Sequence, residues 1–443
     1  MPVVAQPKIY ERSEHNISRS QISENALKVL YRLKKAGYEA YLVGGCVRDL
    51  LLGREPKDFD VVTDAHPEQV RKVFRNCRLV GRRFRLAHVH FGREIIEVAT
   101  FRSTAVDQDD QDDSQLQNDD EGRLIRDNVY GTIEEDVWRR DFTVNSLYYN
   151  IRDFSVLDYV GGMHDHAEGL LRLIGDPETR FREDPVRMLR AVRFVVKLGF
   201  NLDPACEKPI HDLAELLYNI PAARLFDECL KLFLSGEALQ TFEMLRHYGL
   251  FQVLFPAVER SLAEEDQGFP RLFLIKALEN SDVRIAEGKT VTAYFLFSAF
   301  LWNAVKSRSE ELVREGLADS VALQNAANEI ISEQVKRVSF PRRITLAMRE
   351  VWTLQSRFER RHGNRPYRLL SHPRFRAAYD FLLLRIETEG IDPELGEWWT
   401  KFQEAGEAEQ RKMTQSSRKP ERRQFKRRRP YQGKSTRNGS PGN

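Results

Sequence analysis

The chain has 443 residues, of which 30% are charged and 41% hydrophobic, and its net charge is +3 with four cysteines. This length accommodates roughly two to four structural units, and the composition excludes a disordered or disulfide-stapled chain. The N-terminus lacks the basic-then-apolar order of a signal peptide. The longest apolar run, Val291–Val305, is shorter than the ~20 residues of a membrane-spanning helix. We therefore expect a cytoplasmic protein with no membrane span.

The charge is distributed very unevenly along the chain. Residues 411–443 carry 12 Lys and Arg against one acid, whereas the remaining chain carries 57 basic and 65 acidic residues. With almost no apolar side chains, such a segment cannot bury enough surface to fold alone. We expect a disordered basic tail over 405–443 that grips an RNA backbone, with a solubilising tail as the alternative. The basic run within it comprises Lys426, Arg427, Arg428 and Arg429.

The N-terminal part of the chain predicts a small α/β head. Residues 1–20 are polar and predict a flexible extension. Apolar residues then recur at helical spacing over Ser23–Ala36, which predicts a helix, and short elements alternate after it. We expect a compact head with a mixed sheet over 21–162. The predicted strands are Ala40–Val43, Asp58–Val62, Arg78–Val80, Leu86–Phe91 and Glu94–Thr100, and the predicted helices are Val47–Leu52 and Pro67–Phe74.

A pair of carboxylates and a pair of glycines lie near the start of this head. Asp58 and Asp60 are two residues apart, so on a strand their side chains point to the same face. Two anions this close repel unless a cation lies between them, and Mg²⁺ or Mn²⁺ suits such oxygen ligands. Upstream, Gly44 and Gly45 precede a short helix, where bare backbone N–H groups can approach a phosphate. This order of elements predicts phosphoryl or nucleotidyl transfer.

Two further acids are candidates for a third carboxylate. Glu97 lies between apolar residues of a predicted strand, where a charge requires a partner or a metal, and an arginine salt bridge is the alternative. Asp141 directly follows Arg140 in a stretch that ends at Asn145. It could bond a ribose hydroxyl or help to hold the metal while Arg140 contacts phosphate. A solvated helix start capped by Asp141 is the alternative.

The chain becomes helical after the head. Residues 107–121 hold eight acids and no base, and predict a disordered acidic loop. From residue 163 the apolar spacing is helical to about residue 404. We expect a helical neck over 163–240 and a larger, RNA-binding helical body over 241–404.

The neck carries a motif that can read a base. Asp184 and Arg187 are three residues apart at the start of a predicted helix. A carboxylate beside a guanidinium offers acceptors and donors to the Watson–Crick edge of a base. An ordinary intrahelical ion pair, worth a few tenths of a kcal/mol, is the alternative.

Taken in order, these segments resemble the class II nucleotidyltransferases of the DNA polymerase β superfamily, the family of bacterial poly(A) polymerases and CCA-adding tRNA nucleotidyltransferases. The resemblance covers roughly residues 38–235. Its motifs are Gly44-Gly45-x-Val47-Arg48-Asp49, Asp58-Phe59-Asp60, Arg139-Arg140-Asp141-Phe142-Thr143-Val144-Asn145, Asp158-x-x-Gly161-Gly162, Glu183-Asp184-x-x-Arg187 and Pro221-x-x-Arg224-x-x-x-Glu228.

The resemblance implies an α+β multidomain protein that performs two-metal nucleotidyl transfer. Asp58 and Asp60 would hold two Mg²⁺ ions, and Asp60 or a third carboxylate, Glu97 or Asp141, would accept the proton of an RNA 3′-hydroxyl. AMP would pass from ATP to that hydroxyl with release of pyrophosphate. The nucleotide-binding residues implied are Gly44, Gly45, Arg48, Arg140, Asn145, Asp184, Arg187, Arg190 and Arg224, with Glu228 as a further brace.

Within this family, residues 75–89, 126–128 and 374–380 are similar to the poly(A) polymerase branch, as is the basic tail. We therefore expect template-independent addition of AMP to the 3′ ends of messenger, regulatory or tRNA-like RNA, with a role in polyadenylation and RNA decay. CCA addition to tRNA shares the motifs and stays an alternative, and an RNA-binding module with an inactive head is another. A monomer that works with RNA-decay proteins is expected.

Overall fold

The structure, a computed structural model, describes residues 6–81, 85–103, 116–118, 124–127, 129–263 and 271–415. Within these ranges the strands are β1 (Lys8–Tyr10), β2 (Ala40–Val43), β3 (Asp60–Thr63), β4 (Cys77–Val80), β5 (Leu86–Phe91), β6 (Glu94–Thr100), β7 (Leu116–Asn118), β8 (Leu124–Asp127), β9 (Leu147–Asn150), β10 (Val156–Asp158), β11 (Leu170–Leu171) and β12 (Asn201–Leu202).

The α-helices of the described ranges are α1 (Glu24–Lys35), α2 (Gly45–Leu51), α3 (Pro67–Val73), α4 (Ile133–Arg139), α5 (Gly162–Ala167), α6 (Pro177–Glu183), α7 (Val186–Leu198), α8 (Pro204–Leu213), α9 (Ala222–Phe233), α10 (Ala238–His247), α11 (Leu250–Leu254), α12 (Pro256–Ala263), α13 (Arg271–Ala286), α14 (Ala293–Arg314), α15 (Asp319–Arg337), α16 (Arg342–Gln355), α17 (Arg365–Leu370), α18 (Phe375–Glu389), α19 (Pro393–Glu404) and α20 (Glu407–Thr414). Short 3₁₀ turns join several of them.

One mixed sheet forms the centre of the head, with the strand order β1-β10-β9-β2-β3-β6-β5-β4. Its neighbouring strands run antiparallel except for β3 and β6, which are parallel. Val43 of β2 lies opposite Asp60 of β3, and Asp60 lies opposite Glu97 of β6. Because paired residues share a face of the sheet, Asp60 and Glu97 point to the same side.

The two faces of this sheet pack against different helices. On one face, α1 buries Val29, Leu30 and Leu33 against the strands, and Ser23 caps its first turn by accepting the N–H groups of Asn25 and Ala26. The opposite face carries Asp60 and packs against α4. Its buried cluster comprises Val43, Val62, Phe101, Ile133, Val137 and Tyr148. The acids therefore lie on the α4 side of the sheet.

Neck and body share one apolar core that runs from Phe142 to Leu384, with a smaller separate cluster around Trp399. The predicted buried helix over Val291–Val305 is confirmed in its larger part, because α14 begins at Ala293 and is buried from Leu296 to Val305. Buried Ser298 donates from its hydroxyl to the Tyr294 carbonyl at 2.6 Å. Within the described ranges, none of the helices combines the length and the hydropathy needed to cross a lipid bilayer.

The structure corrects three sequence-based expectations about irregular segments. Residues 6–20 belong to the head, because β1 pairs with β10 and Ile17 is fully buried. Within the predicted acidic loop 107–121, residues 116–118 form β7 and pair with β8, and the rest lies outside the described residues. At the start of the predicted tail, α20 is helical, whereas residues 416–443 lie outside the described residues. These segments are ordered through pairing with other strands and packing against the rest of the chain, and neither can be predicted from the polarity of the segment itself.

Gly162, at the start of α5, packs directly against the backbone of the segment Thr143–Asn145. A Cβ on Gly162 would lie 2.4 Å from the Thr143 carbonyl oxygen. Since a backbone atom is in the way, we expect Gly162→Ala to lower the free energy of unfolding by about 1–3 kcal/mol.

The control for this substitution is Gly406→Ala, because a Cβ on Gly406 meets no atom within 4 Å and its φ of −70° suits alanine. We expect a loss below about 0.5 kcal/mol there. Urea titrations followed by circular dichroism measure both values, and equal losses in the two variants would contradict the packing argument.

Candidate active site

Asp60 lies directly beside the glycine turn that joins β2 to α2. Gly44 has a φ of +79°, which favours glycine, and a Cβ placed on it would lie 3.9 Å from Asp60 Oδ2. Asp58 is exposed and precedes β3 in a bend, so the predicted strand Asp58–Val62 begins two residues late, at Asp60. The expected arrangement of both acids on one strand face is therefore wrong, although Asp58 still acts electrostatically on Asp60.

The acids form a cluster that lacks enough positive charge. The pKa of Asp60 rises from 3.8 to about 6, mainly because of burial and then because of repulsion by Glu97. Arg140 opposes this rise and Asp58 adds to it. Within the described ranges, no group of three or more His, Cys, Asp or Glu side chains is preassembled as a metal site. The carboxylates are close enough to repel each other without enclosing a closed cage.

Glu97 is the sequence-predicted acid that the sheet brings next to Asp60. Its Oε1 lies 3.3 Å from Nε2 of His88, and 49% of the Glu97 side chain is exposed. The sequence had offered an arginine as the alternative partner. The observed partner is the histidine that β5 places directly opposite Glu97.

Arg140 is held rigidly beside the same turn. Its Nε donates to Asp136 Oδ2 at 3.0 Å and to the Tyr148 hydroxyl at 2.8 Å, and Tyr148 itself donates to Asp136. Burial works against the charge of Arg140, but Asp136 and Tyr148 outweigh it and raise the pKa of Arg140. A Cβ on Gly44 would lie 4.0 Å from Arg140 Nη1. Nη1 of Arg140 therefore lies at the glycine turn.

Asp141 is bound by an arginine of the neck. Arg190 donates to Asp141 Oδ2 from Nε at 2.7 Å and also from Nη2. The Phe142 N–H and Asn145 Nδ2 donate to Oδ1 at 2.8 and 3.3 Å. Burial favours protonation, but these donors, Arg190 foremost, lower the pKa of Asp141 to about 2. Asp141 is thus a buried, ionised side chain, and the alternative of a solvated helix cap is wrong.

A chain of hydrogen bonds continues from Asp141 into α2. Arg48 Nη1 donates to Asn145 Oδ1 at 2.6 Å, and Arg48 also forms an ion pair with Asp49 at 2.6 Å. Arg48 is only 2% exposed, so its guanidinium is largely committed to this network.

Sequence reasoning missed the aromatic ring at the centre of this network. The guanidinium carbons of Arg48, Arg190 and Arg193 lie 5.2, 5.3 and 4.8 Å from the Phe194 ring centroid. Such cation–π contacts hold guanidinium groups near one another. The signal in the sequence was the i, i+4 spacing of Arg190 and Phe194 on one face of α7.

The proposed base-reading residues are each held by a different partner. Asp184 lies between α6 and α7 and accepts from Arg224 Nη2 at 2.7 Å, as the expected brace requires. Arg187 Nη1 donates to Glu183 Oε2 at 2.9 Å and to the Arg180 carbonyl at 2.8 Å. Arg187 thus pairs within the neck with Glu183 instead of with Asp184, contrary to the alternative of an Asp184–Arg187 ion pair.

Two further contacts complete the neck side of this region. Glu228 is buried, and its Oε1 accepts from Lys231, whereas its Oε2 has no hydrogen-bond partner among the described residues. Arg180 Nη2 donates to the carbonyls of Arg139 and Arg140 and so ties α6 to the head. The sequence-predicted site residues of head and neck therefore meet in one region. The tail residues Lys426, Arg427, Arg428 and Arg429 lie outside the described residues.

The raised pKa of Asp60 has a consequence for stability. Because its folded pKa of about 6 exceeds its ordinary value of 3.8, ionisation of Asp60 opposes folding. This penalty is complete above pH ~6 and disappears as the pH falls toward ~3.8. We expect Asp60→Asn to raise the free energy of unfolding by about 1–3 kcal/mol at pH 7.5, and by less at pH 4.5.

Asp58→Asn is the comparison, and we expect a smaller effect, because Asp58 is exposed and is the last and smallest contributor to the raised pKa of Asp60. Urea titrations in chelator-containing buffer at the two pH values measure both variants. A pH-independent effect of Asp60→Asn would show that ionisation of Asp60 is not its origin.

Three family models match the chain. They are described as poly A polymerase head domain over residues 40–172, probable RNA and SrmB-binding site of polymerase A over 199–262, and polymerase A arginine-rich C-terminus over 315–433. The chain is 52% identical over 415 residues to poly(A) polymerase I of Salmonella typhi, covering 93% of this chain and 89% of the relative. It is 48% identical to poly(A) polymerase I of Haemophilus influenzae, covering 89% and 88%.

CCA-adding enzymes are more distant relatives. That of Lactobacillus helveticus is 38% identical over 219 residues, or 49% of this chain and 52% of the relative. Among solved structures, the Bacillus stearothermophilus CCA-adding enzyme in complex with CTP has a TM-score of 0.56 and 26% identity, covering 86% of this chain and 82% of that one. A CCA-adding enzyme complex with ATP, 22% identical with a TM-score of 0.58, covers 92% and 90% and shares the fold.

Proposed function

This chain belongs to the bacterial poly(A) polymerase I family of polynucleotide adenylyltransferases, and we propose that the acid cluster at the start of β3 is where it transfers AMP from ATP to RNA 3′ ends. The observation that carries this assignment is the raised pKa of Asp60 beside Glu97, Arg140 and the glycine turn. Two neighbouring acids that Arg140 does not fully neutralise, beside a backbone turn without side chains, suit a metal cation that carries a phosphate. CCA addition is less favoured, because the CCA-adding enzyme of Lactobacillus helveticus is 38% identical over 49% of the chain, whereas the poly(A) polymerase I relatives are 48–52% identical over 89–93% of it.

Mg²⁺ or Mn²⁺ is the cofactor that we propose for this cluster. The donor set fits, since Asp58 and Asp60 supply carboxylate oxygens and Asp60 is raised in pKa by neighbouring acids, which an added cation would relieve. We assign Asp58 and Asp60 as the residues that hold it. When bound, such a metal would stabilise negative charge at the phosphate and lower the pKa of the attacking hydroxyl.

Glu97 is a better candidate than Asp141 for the third carboxylate. Asp141 accepts bonds from Arg190, Phe142 and Asn145 and stays ionised far below neutral pH. Glu97 lies next to Asp60 in the sheet and keeps half of its side chain exposed. We propose that Glu97 or Asp60 accepts the proton of the 3′-hydroxyl, and that Asp141 positions Arg190.

The phosphate side of the site is assigned to the glycine turn and Arg140. Gly44 and Gly45 present no side chain that would keep a triphosphate away from the backbone. Arg140, fixed by Asp136 and Tyr148, offers Nη1 at this turn as a charged donor. Arg48 acts less directly, because Asp49 and Asn145 occupy its guanidinium.

The base is assigned to the neck. Arg187 uses Nη1 on Glu183 and the Arg180 carbonyl, which fixes its guanidinium in the neck. Asp184 accepts from Arg224 and from the Val186 N–H, and Glu228 keeps one carboxylate oxygen without a partner in the described part of the chain. Donors and acceptors held in fixed positions can distinguish an adenine edge from a cytosine edge.

The decisive experiment offers the purified protein an RNA primer with Mg²⁺ and one labelled nucleotide at a time. We expect repeated AMP incorporation from ATP, and a loss of at least about 10³-fold in Asp58→Ala and Asp60→Ala with RNA affinity retained. Incorporation of C followed by one A would support CCA addition instead. Full activity in either variant would contradict the metal assignment.

The basic tail is proposed as an RNA-binding arm, in keeping with the arginine-rich C-terminal family model that reaches residue 433. Deletion of residues 416–443 removes 10 of the Lys and Arg residues. We expect weaker RNA binding and a shallower dependence of affinity on salt, because fewer phosphates are contacted. Fluorescence titrations at several salt concentrations measure both quantities, and an unchanged slope would mean that the tail does not contact RNA.

The cellular setting follows from the same assignment. We propose that the protein acts as a monomer in the cytoplasm on RNAs destined for decay, together with RNA-decay proteins. Unpaired cysteines support a reducing compartment, because Cys46, Cys77, Cys206 and Cys229 are all free thiols.

A further inference from the structure

We propose that the head carries a second RNA-binding surface, the α1 groove, on the side of the sheet opposite the acids. The groove has a volume of about 730 Å³. Its chemistry-bearing side chains are Arg19, Lys28, Tyr31, Arg32, Lys35 and Phe74. The inference rests on the proposed function, since RNA is the polyanion that such an enzyme handles.

The basic and aromatic residues of the groove form one stripe along α1. Lys28, Tyr31, Arg32 and Lys35 follow the i, i+3, i+4, i+7 spacing of a single helix face, and all four are exposed. The opposite face of α1 is the one that packs on the sheet. The stripe therefore has no role in the core.

The positive charge of the stripe is not neutralised. Arg19, Arg32 and Lys35 form no ion pair with any acid in the described part of the chain. Lys28 lies 3.7 Å from Glu24, but the two side chains are 61% and 90% exposed, so their attraction is weak. Four cations thus face a single acid across the groove.

Guanidinium groups and aromatic rings are already stacked in this groove. Arg19 lies 5.3 Å from the Tyr31 ring centroid, and Arg32 lies 5.2 Å from that of Phe74. Tyr31 remains 39% exposed. Phe74 is buried, so Tyr31 supplies the exposed ring of the stripe. An exposed ring flanked by cations is a feature with which proteins bind single-stranded RNA, because a base stacks on the ring while the cations contact phosphates.

The groove is separate from the surfaces assigned above. Asp60 shares the α4 face of the sheet with Val43 and Val62, whereas α1 packs on the other face. The residues of α1 also precede all three regions matched by family models, which begin at residues 40, 199 and 315. The α1 groove would thus hold RNA upstream of the 3′ end, away from the reacting atoms.

RNA fits this surface better than an acidic protein segment does. An acidic segment would use the cations alone, whereas RNA uses both the cations and the exposed ring of Tyr31. The two occupants are distinguishable, because loss of the Tyr31 ring would weaken the binding of RNA but not that of an acidic segment.

The test measures binding of a single-stranded RNA of about 30 nucleotides by the full chain at several salt concentrations. Loss of two phosphate contacts in Lys28→Glu/Lys35→Glu should lower the slope of log affinity against log salt by about 1.4, and weaken binding at low salt by about 10-fold. Tyr31→Ala should weaken binding about 5-fold or more, and Tyr31→Phe should not. Lys28→Gln/Lys35→Gln removes the same charges without placing an acid at the end of α1, so it should reproduce the lower slope.

Lys289→Glu is the matched control, since Lys289 is 58% exposed, close to the 61% of Lys28, and lies outside the groove. AMP addition to a primer of a few nucleotides should be unchanged in every α1 variant. An unchanged slope and affinity in both double variants would overturn the proposal. It would also be overturned if Tyr31→Ala bound RNA like the wild type while the double variants lost binding of polyglutamate, a probe for an acidic protein segment. Failure of the wild type to extend the short primer would instead overturn the proposed function.

Discussion

The parallel pairing of β3 with β6 is the constraint on which the site depends. It sets Asp60 beside Glu97 on one face of the sheet, next to the glycine turn at Gly44. Burial and repulsion by Glu97 disfavour the ionised form of Asp60 and raise its pKa. Arrangements in which charged side chains are held at a cost to stability are common at catalytic sites.

The second level of organisation is a set of arginines that join head to neck. Arg190 on α7 donates to Asp141, and Asn145 donates to Asp141 and accepts from Arg48 on α2. The guanidinium groups of Arg190 and Arg48 both lie beside the Phe194 ring. Arg180 adds bonds from α6 to the carbonyls at the end of α4. Because these bonds are charge-assisted and buried, they fix α7 relative to the acid cluster. The residues that we propose to contact the base are thereby held in a fixed position relative to those that we propose to contact the phosphate.

Much of the fold was accessible from the sequence, and the reasons can be stated residue by residue. The strands Leu86–Phe91 and Glu94–Thr100 agree with the prediction, because apolar alternation marks a half-buried strand clearly. The partner of Asp141 was not accessible, since Arg190 lies 49 residues away and no spacing rule relates the two. The same holds for Asp184 and Arg224, which the family resemblance, and not local pattern, placed together. The prediction that Asp58 lies on a strand was wrong, because β3 pairs with β2 and β6 only from Asp60 onward.

The apolar core that runs without a break from Phe142 to Leu384 limits how the chain can be divided. Helices on both sides of residue 240 contribute residues to it, among them Phe233 and Phe242. Cleavage at residue 240 would therefore expose a hydrophobic surface on each fragment. Fragments made at that point would be expected to aggregate instead of folding independently. Neck and body are therefore joined by one continuous core, to which Phe142 and Val144 at the end of the head also contribute.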